Sequence, residues 1–195
     1  MKKYLIIILI ILIISLLIGC NRVCNFNQSK FLEMKKKEFD ISKFSNPDKI
    51  AINQRMNKYL LTNITENPKT LHTLFVPNQP ISISVHGVSP VFILINKQLK
   101  IAGTYDNRDE CVKEAKKNWQ YVDTKINKIL NRSISISGNS ATLTGELCAE
   151  SYIDKSALVG TVTALGTVKV KFLKLNEEWY IRAIDINMAG CQISS

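Results

Sequence analysis

The C-terminal third of the chain constrains its fold most. From Arg132 onward the residues read as strand: Ile134 and Ile136 alternate with serines, Gly138-Asn139 supplies a turn, and Ala141, Leu143, Leu147 and Ala149 continue the period of two. A long segment from Val159 to Leu175 passes through Asn176-Glu177-Glu178 into another, Trp179 to Ile186. Pairing Leu175 with Trp179 across that three-residue loop places Leu173 opposite Ile181, Val170 opposite Ile184 and Val168 opposite Ile186. The apolar parity then changes in both strands at the same height, between Phe172 and Leu173 and around Arg182 to Ile184. A flat sheet with one buried face does not permit this. Either bulges re-aim both strands, or the two halves of the hairpin bury opposite faces. Both imply a long, strongly bent antiparallel sheet.

Helical patterns precede the sheet. Ser45 with Asp48 three residues on reads as an N-cap, Pro47 suits a first turn, and Ile52, Met56, Tyr59, Leu60 and Ile64 follow at helical spacing. Asn67-Pro68 ends or restarts that helix. A shorter amphipathic piece carrying Leu71, Leu74 and Phe75 stops before Pro77 and Pro80, which forbid further helix. Ile81, Ile83 and Val85 alternate with polar residues as a strand, and the apolar run Val91 to Ile95 reads as its partner, followed by a turn at Asn96-Lys97-Gln98. Asn107 with Glu110 forms a capping box, after which Val112, Ala115, Trp119, Val122, Ile126 and Ile129 make one stripe, predicting a single long helix of about five turns. The chain is therefore expected to be α+β, with helices packed on a strongly bent antiparallel sheet that forms a cone or half-barrel.

Composition places this fold in one domain. The chain has 195 residues, 46% hydrophobic and 22% charged, with 8 Gly and 5 Pro, which excludes disorder and collagen-like sequence. Its N-terminus reads as an address. Met1-Lys2-Lys3 precedes an apolar stretch from Tyr4 to Ile18 that is shorter than the roughly 20 residues of a spanning helix. Leu17-Ile18-Gly19-Cys20 resembles the bacterial lipobox, which implies diacylation of Cys20 and removal of residues 1–19, with an uncleaved signal anchor as the alternative. The expected organisation is a signal peptide over 1–19, a lipid-anchored linker over 20–45 and a domain over 46–195, held on a membrane of the bacterial cell envelope. Net charge is +10; losing Lys2 and Lys3 leaves 24 basic against 16 acidic residues. Lys35-Lys36-Lys37 in the linker is read as a solvated run, since Glu33, Glu38 and Asp40 interleave it, with contact to anionic headgroups as the alternative.

The other cysteines, Cys24, Cys111, Cys148 and Cys191, have no CxxC spacing, so metal and redox motifs are not indicated. They fit either disulfides, with three connectivities open, or unpaired thiols.

The order of helices and strands, with Gly138-Asn139-Ser140-Ala141-Thr142-Leu143 and the closing hairpin Val170 to Ile181 containing Trp179-Tyr180-Ile181, resembles the nuclear transport factor 2-like superfamily over about residues 46 to 187. These are cystatin-like α+β cones that include ketosteroid isomerase and SnoaL-like cyclases. The resemblance implies a cone whose interior either holds a ligand or is filled by side chains. Isomerases of this kind use an Asp base with Tyr or acid donors inside the cone. No acid of this chain stands on core parity: Glu146 and Glu150 are opposite to Leu143 and Leu147, and Asp185 lies between Ile184 and Ile186. His72 and His86 fall beside their apolar faces, and no Ser-His-Asp order, metal cluster or phosphate loop is present. No catalytic residue and no cofactor is assigned. Tyr59, Trp119, Tyr152 and Trp179 are the candidates for lining a pocket, with ordinary packing as the alternative. The function expected is a non-enzymatic envelope lipoprotein that binds a protein partner or an apolar ligand, or pairs as a homodimer through the apolar second half of the hairpin at Val168 and Ile186. A small-molecule enzyme or carrier, and a subunit of a secretion apparatus, are the alternatives; nucleic acid is not an expected partner.

Overall fold

The computed structural model describes residues 26–40, 43–87, 99, 102–155 and 158–194. Among these, four helices, α1 (Gln28–Lys36), α2 (Pro47–Thr65), α3 (Pro68–Leu74) and α4 (Arg108–Trp119), accompany six strands. The strands are β1 (Ile81–His86), β2 (Gly103–Tyr105), β3 (Val122–Ser137), β4 (Ser140–Lys155), β5 (Leu158–Leu175) and β6 (Glu178–Ser194), in the order β2-β1-β6-β5-β4-β3. The sheet is open and mixed, which corrects the all-antiparallel expectation: β1 runs parallel to β6, with Ile83 beside Ile184 and Val85 beside Ile186. The cause is α4, which carries the chain back between β2 and β3 so that both run the same way. The run Val91 to Ile95 and the turn after it lie outside the described residues; β1 pairs instead with β2, Ile81 opposite Tyr105.

Local chemistry explains most helix ends. The cap of α2 is Asn46 rather than Ser45: its side chain accepts from the Lys49 N–H at 3.1 Å, with Pro47 in the first turn. Asp48, freed from capping, accepts the Trp179 indole N–H at 2.8 Å and pairs with Lys174 at 3.3 Å. Asn67 caps α3 ahead of Pro68. Asn107 caps α4, while Glu110 reaches back to the Asp106 N–H at 2.9 Å.

The long stripe beyond Trp119 is not helix. α4 ends there, and Val122, Ile126 and Ile129 belong to β3. A register shift between Thr124 and Ile126 puts Val122, Thr124, Asn127 and Ile129 on the inner face and leaves Ile126 and Leu130 outside. Both faces are apolar, because both are covered, and the result mimics helical spacing.

The hairpin registers show how the sheet bends. Its turn is two residues, Asn176 and Glu177, both left-handed (φ 49° and 65°), so Leu175 meets Glu178, Leu173 meets Tyr180, and Phe172 meets Ile181. One residue, Arg182, is then bulged out, which restores the expected partners Val170–Ile184 and Val168–Ile186. A second bulge at Ala189 follows. The core face of β6 accordingly steps from Trp179 and Ile181 to Ile184, Ile186 and Met188, then to Cys191 and Ile193. β5 keeps one parity from Val162 to Phe172, so only β6 switches, and Leu173 and Leu175 are merely half-buried. Val168 is buried in the core and Ile186 faces the interior, so neither is available as an interface between copies.

α2, α3 and α4 pack on the concave face over Leu143, Val170 and Ile181, whose side chains are fully buried. The outer face carries a second, smaller core. Within the 20–45 segment expected as a linker, α1 is docked: Phe31 and Met34 are buried against Leu130, Cys148 and Leu165, each such burial stabilising by about 1.5–3 kcal/mol. Lys30 pairs with Glu146 at 2.8 Å and Lys35 with Glu150 at 3.1 Å, while the Lys128 ammonium donates to the Lys35 and Lys37 carbonyls at the helix end, at 2.9 and 3.0 Å. Glu146 and Glu150 point outward as their parity requires, and find lysines of α1 there.

Two outcomes follow. A Cβ at Gly166 would run into the Asn187 carbonyl beside the second bulge, whereas one at Gly138 meets nothing and only strains a left-handed backbone (φ 54°). Gly166→Ala should lower stability in urea by about 2–3 kcal/mol, clearly more than the roughly 1 kcal/mol of Gly138→Ala; equal costs would mean that the strands do not approach so closely. The bond from Trp179, and then Lys174, holds the Asp48 carboxyl below its ordinary value of 3.8. Asp48 therefore contributes stability above that value that disappears as pH falls through the lower folded one. The stability gap between the wild type and Asp48→Asn should be constant at neutral pH and close in acid; a gap independent of pH would contradict the contact.

Candidate functional site

The concave side of the sheet holds a half-open cavity of about 310 Å³. Each wall follows from the periodicity of its element. α2 contributes Met56, Tyr59, Leu60 and Asn63, one face at helical spacing; α4 contributes Cys111, Ala115, Asn118 and Trp119. β1 supplies Ile83 and Val85, and β2 supplies Tyr105. β3 presents Val122, Thr124, Asn127 and Ile129, and β4 presents Leu147, Ala149, Ser151 and Ile153, alternate residues of one face. β6 closes the wall with Ile184, Ile186, Met188 and Cys191. The bulges matter here: without them Ile186 and Cys191 would lie on opposite faces of β6.

None of the described lining residues is Asp, Glu, His, Lys or Arg. The polar groups are hydroxyls, amides and thiols. Burial pushes the Tyr59 phenol well above its ordinary 10, with the neighbouring Cys111 adding to the shift and a bond from Asn63 opposing it. Burial likewise pushes Tyr105 up to about 12, with Cys111, Glu114 and Glu110 adding to it. The Cys111 thiol is pushed up to about 12 by burial and by Glu110. All three are neutral at physiological pH, so Tyr59, Tyr105 and Cys111 offer hydrogen-bond donors and acceptors to the cavity but neither a phenolate nor a thiolate. Ser151 donates to Thr124 at 3.2 Å, while Asn118 and Asn127 make no side-chain hydrogen bond to any described residue.

Of the aromatic residues singled out from the sequence, Tyr59 and Trp119 line this cavity. Tyr152 does not: it has the outer parity of β4 and is 42% exposed. Trp179 does not either, since it is buried at the base of the hairpin with its indole on Asp48 and the Lys174 ammonium 5.9 Å from its ring. Cys111 and Cys148 are free thiols buried on opposite faces of the sheet, one in the main core and one beneath α1. Cys191 lines the cavity. Cys20 and Cys24 lie outside the described residues. His72 sits on Asp109 at 2.8 Å and His86 on Asp185 at 3.2 Å, both at the surface. Among the described residues no group of His, Cys, Asp and Glu is arranged to hold a metal ion, and no helix is long and apolar enough to cross a membrane. Tyr105, Asn118 and Asn127 were not legible as site residues; Asn127 was hidden by the helical reading of its segment.

No family model and no curated protein sequence matches the chain. Solved structures do. It is similar to the hexachlorocyclohexane dehydrochlorinase LinA-type3 from Novosphingobium barchaimii LL02, at 11% identity and a TM-score of 0.59 over 76% of this chain and 90% of that one. A protein from Kribbella flavida matches at 9% identity and a TM-score of 0.59, covering 74% and 93% of the two chains. A protein of unknown function with a cystatin-like fold from Nostoc punctiforme PCC 73102 matches at 13% identity and a TM-score of 0.50, covering 74% and 93%. At such identities the likeness speaks for architecture alone. The open six-stranded sheet, the helices on its concave face and these neighbours together give the chain the α+β cone fold of the nuclear transport factor 2-like superfamily.

Proposed function

We propose that this protein is a binding domain, tethered to the cell envelope through a lipid on Cys20, whose cone takes up a compact, uncharged, largely apolar molecule without transforming it. The observation that carries this reading is the cavity itself: about 310 Å³, at the small end of ligand sites, with walls of aliphatic and aromatic residues and only neutral polar groups among the described lining. A cavity of this make-up favours transfer of an apolar solute from water and disfavours a charged one, which would be desolvated with no partner. The second reading is a small-molecule enzyme, favoured by the likeness to a dehydrochlorinase. It requires a base that the described lining lacks.

A naphthalene-type fluorescent probe tests the binding reading. Wild type should bind it, and Ala115→Phe, which places a ring inside the cavity from α4, should weaken binding by about tenfold or more while leaving the urea midpoint unchanged or higher. Unaltered probe binding in the variant would place the probe elsewhere on the molecule and overturn the reading. The tether has its own test. Cys20→Ala should move the protein from the membrane fraction to the soluble fraction, whereas neutralising Lys35, Lys36 and Lys37 together should leave it in the membrane; release by the lysine change alone would contradict the lipid anchor.

A further inference from the structure

The cavity contains polar side chains that the fold does not use. Tyr105 is 8% exposed and lies on the lining, its ring back over Gly103, yet its hydroxyl makes no hydrogen bond to any described residue. The half-buried Asn118 and Asn127 present carboxamides to the same space, equally without side-chain partners among the described residues. The other polar lining groups are engaged: Asn63 with Tyr59, and Ser151 with Thr124. Each opens onto the cavity, since no fully enclosed side-chain nitrogen or oxygen among the described residues lacks a partner, so water can satisfy it in the empty cone and a ligand group can take that water's place. Three such groups facing one apolar cavity form a set of recognition contacts. They are also spread out. Cys111, which neighbours Tyr105 electrostatically, and Asn118 stand seven residues apart on α4, about 10 Å along the helix axis.

We propose that Tyr105, Asn118 and Asn127 are the specificity determinants of the cavity, and that its ligand is a compact uncharged molecule bearing carbonyl or hydroxyl groups on an apolar body. The proposal rests on the binding reading above and adds the chemistry of the ligand to it. Anions are disfavoured twice over. No cation stands among the described lining residues, and the carboxylates of Glu110 and Glu114 lie close enough to Tyr105 to act on its hydroxyl.

The test uses matched probes, 2-acetylnaphthalene and 2-ethylnaphthalene, which differ in a hydrogen-bond acceptor at nearly constant shape, with 2-naphthoate as the charged third. Binding is measured by calorimetry to the full chain and to the triple variant Tyr105→Phe, Asn118→Leu, Asn127→Leu, with urea unfolding alongside. The ratio of the ethyl to the acetyl dissociation constant should fall about tenfold in the variant, through weaker binding of the acetyl probe. The ethyl probe should bind as well or better, the urea midpoint should stay the same or rise, and 2-naphthoate should bind wild type more weakly than the acetyl probe. An unchanged ratio overturns the proposal while leaving the cavity a binding site. A lower urea midpoint with intact folding would mean that the three groups serve the fold, and also overturns it. Failure of all three probes to bind wild type removes the binding reading and this proposal together.

Discussion

The architecture depends on how one strand keeps its apolar side chains on the inside while the sheet curls. β6 does so by giving up two residues, Arg182 and Ala189, to bulges. Each bulge advances the parity by one and adds local bend. The inward set consequently follows the cone from Trp179 at the hairpin base, through Ile184, Ile186 and Met188 at the cavity wall, to Cys191 and Ile193 in the smaller core near Ile153 and Val162. Gly166 on the neighbouring strand lets the backbone at the second bulge approach closely. On the far edge β3 makes the corresponding adjustment at Asn131, whose φ is 49°, opposite Gly145. Curvature is thus written as extra residues on β6 and β3, while β4 and β5 stay in register with one another throughout.

Bending leaves two surfaces with different needs. The concave face is covered by α2, α3 and α4, which share a core with Leu143, Val170 and Ile181 and line the cavity together with the strands. The convex face would expose Leu130, Cys148 and Leu165 were α1 not docked on it. The ion pairs that flank α1 are partly exposed and contribute little individually; the buried Phe31 and Met34 hold it. With five residues between Cys20 and Phe26, a reach of at most about 20 Å, the proposed lipid on Cys20 would keep this convex side close to the membrane.

Much of this was legible in the sequence because strand periodicity and turn chemistry are local. The alternation around Ile134 and Leu143, the turn at Gly138-Asn139, and the parity change near Arg182 all carried over to the fold, the last as a bulge. What failed did so where two environments overlap. Val122, Ile126 and Ile129 looked helical because β3 buries both faces, and a period-two signal with a bulge then resembles a period of 3.6. The hairpin register was off by one at its tip because Asn176-Glu177 form a two-residue turn without the usual glycine. Of the cavity, Tyr59 and Trp119 stood on recognisable apolar stripes. Tyr105 and Asn127 did not, since an inward polar residue on a strand is indistinguishable by pattern from an outward one until its neighbours are placed. Tyr152 and Trp179 were aromatic for other reasons, one at the surface and one anchoring Asp48.

The measurement that bears most directly on the hollow cone is xenon binding, because xenon enters apolar cavities and finds no site in a packed core. Crystals held under xenon pressure should show the gas inside the cone, among Ala115, Leu147 and Ile186, and lose it in Ala115→Phe. Xenon absent from that position, with the space between α4 and β4 filled by side chains, would contradict the cavity on which the functional reading stands.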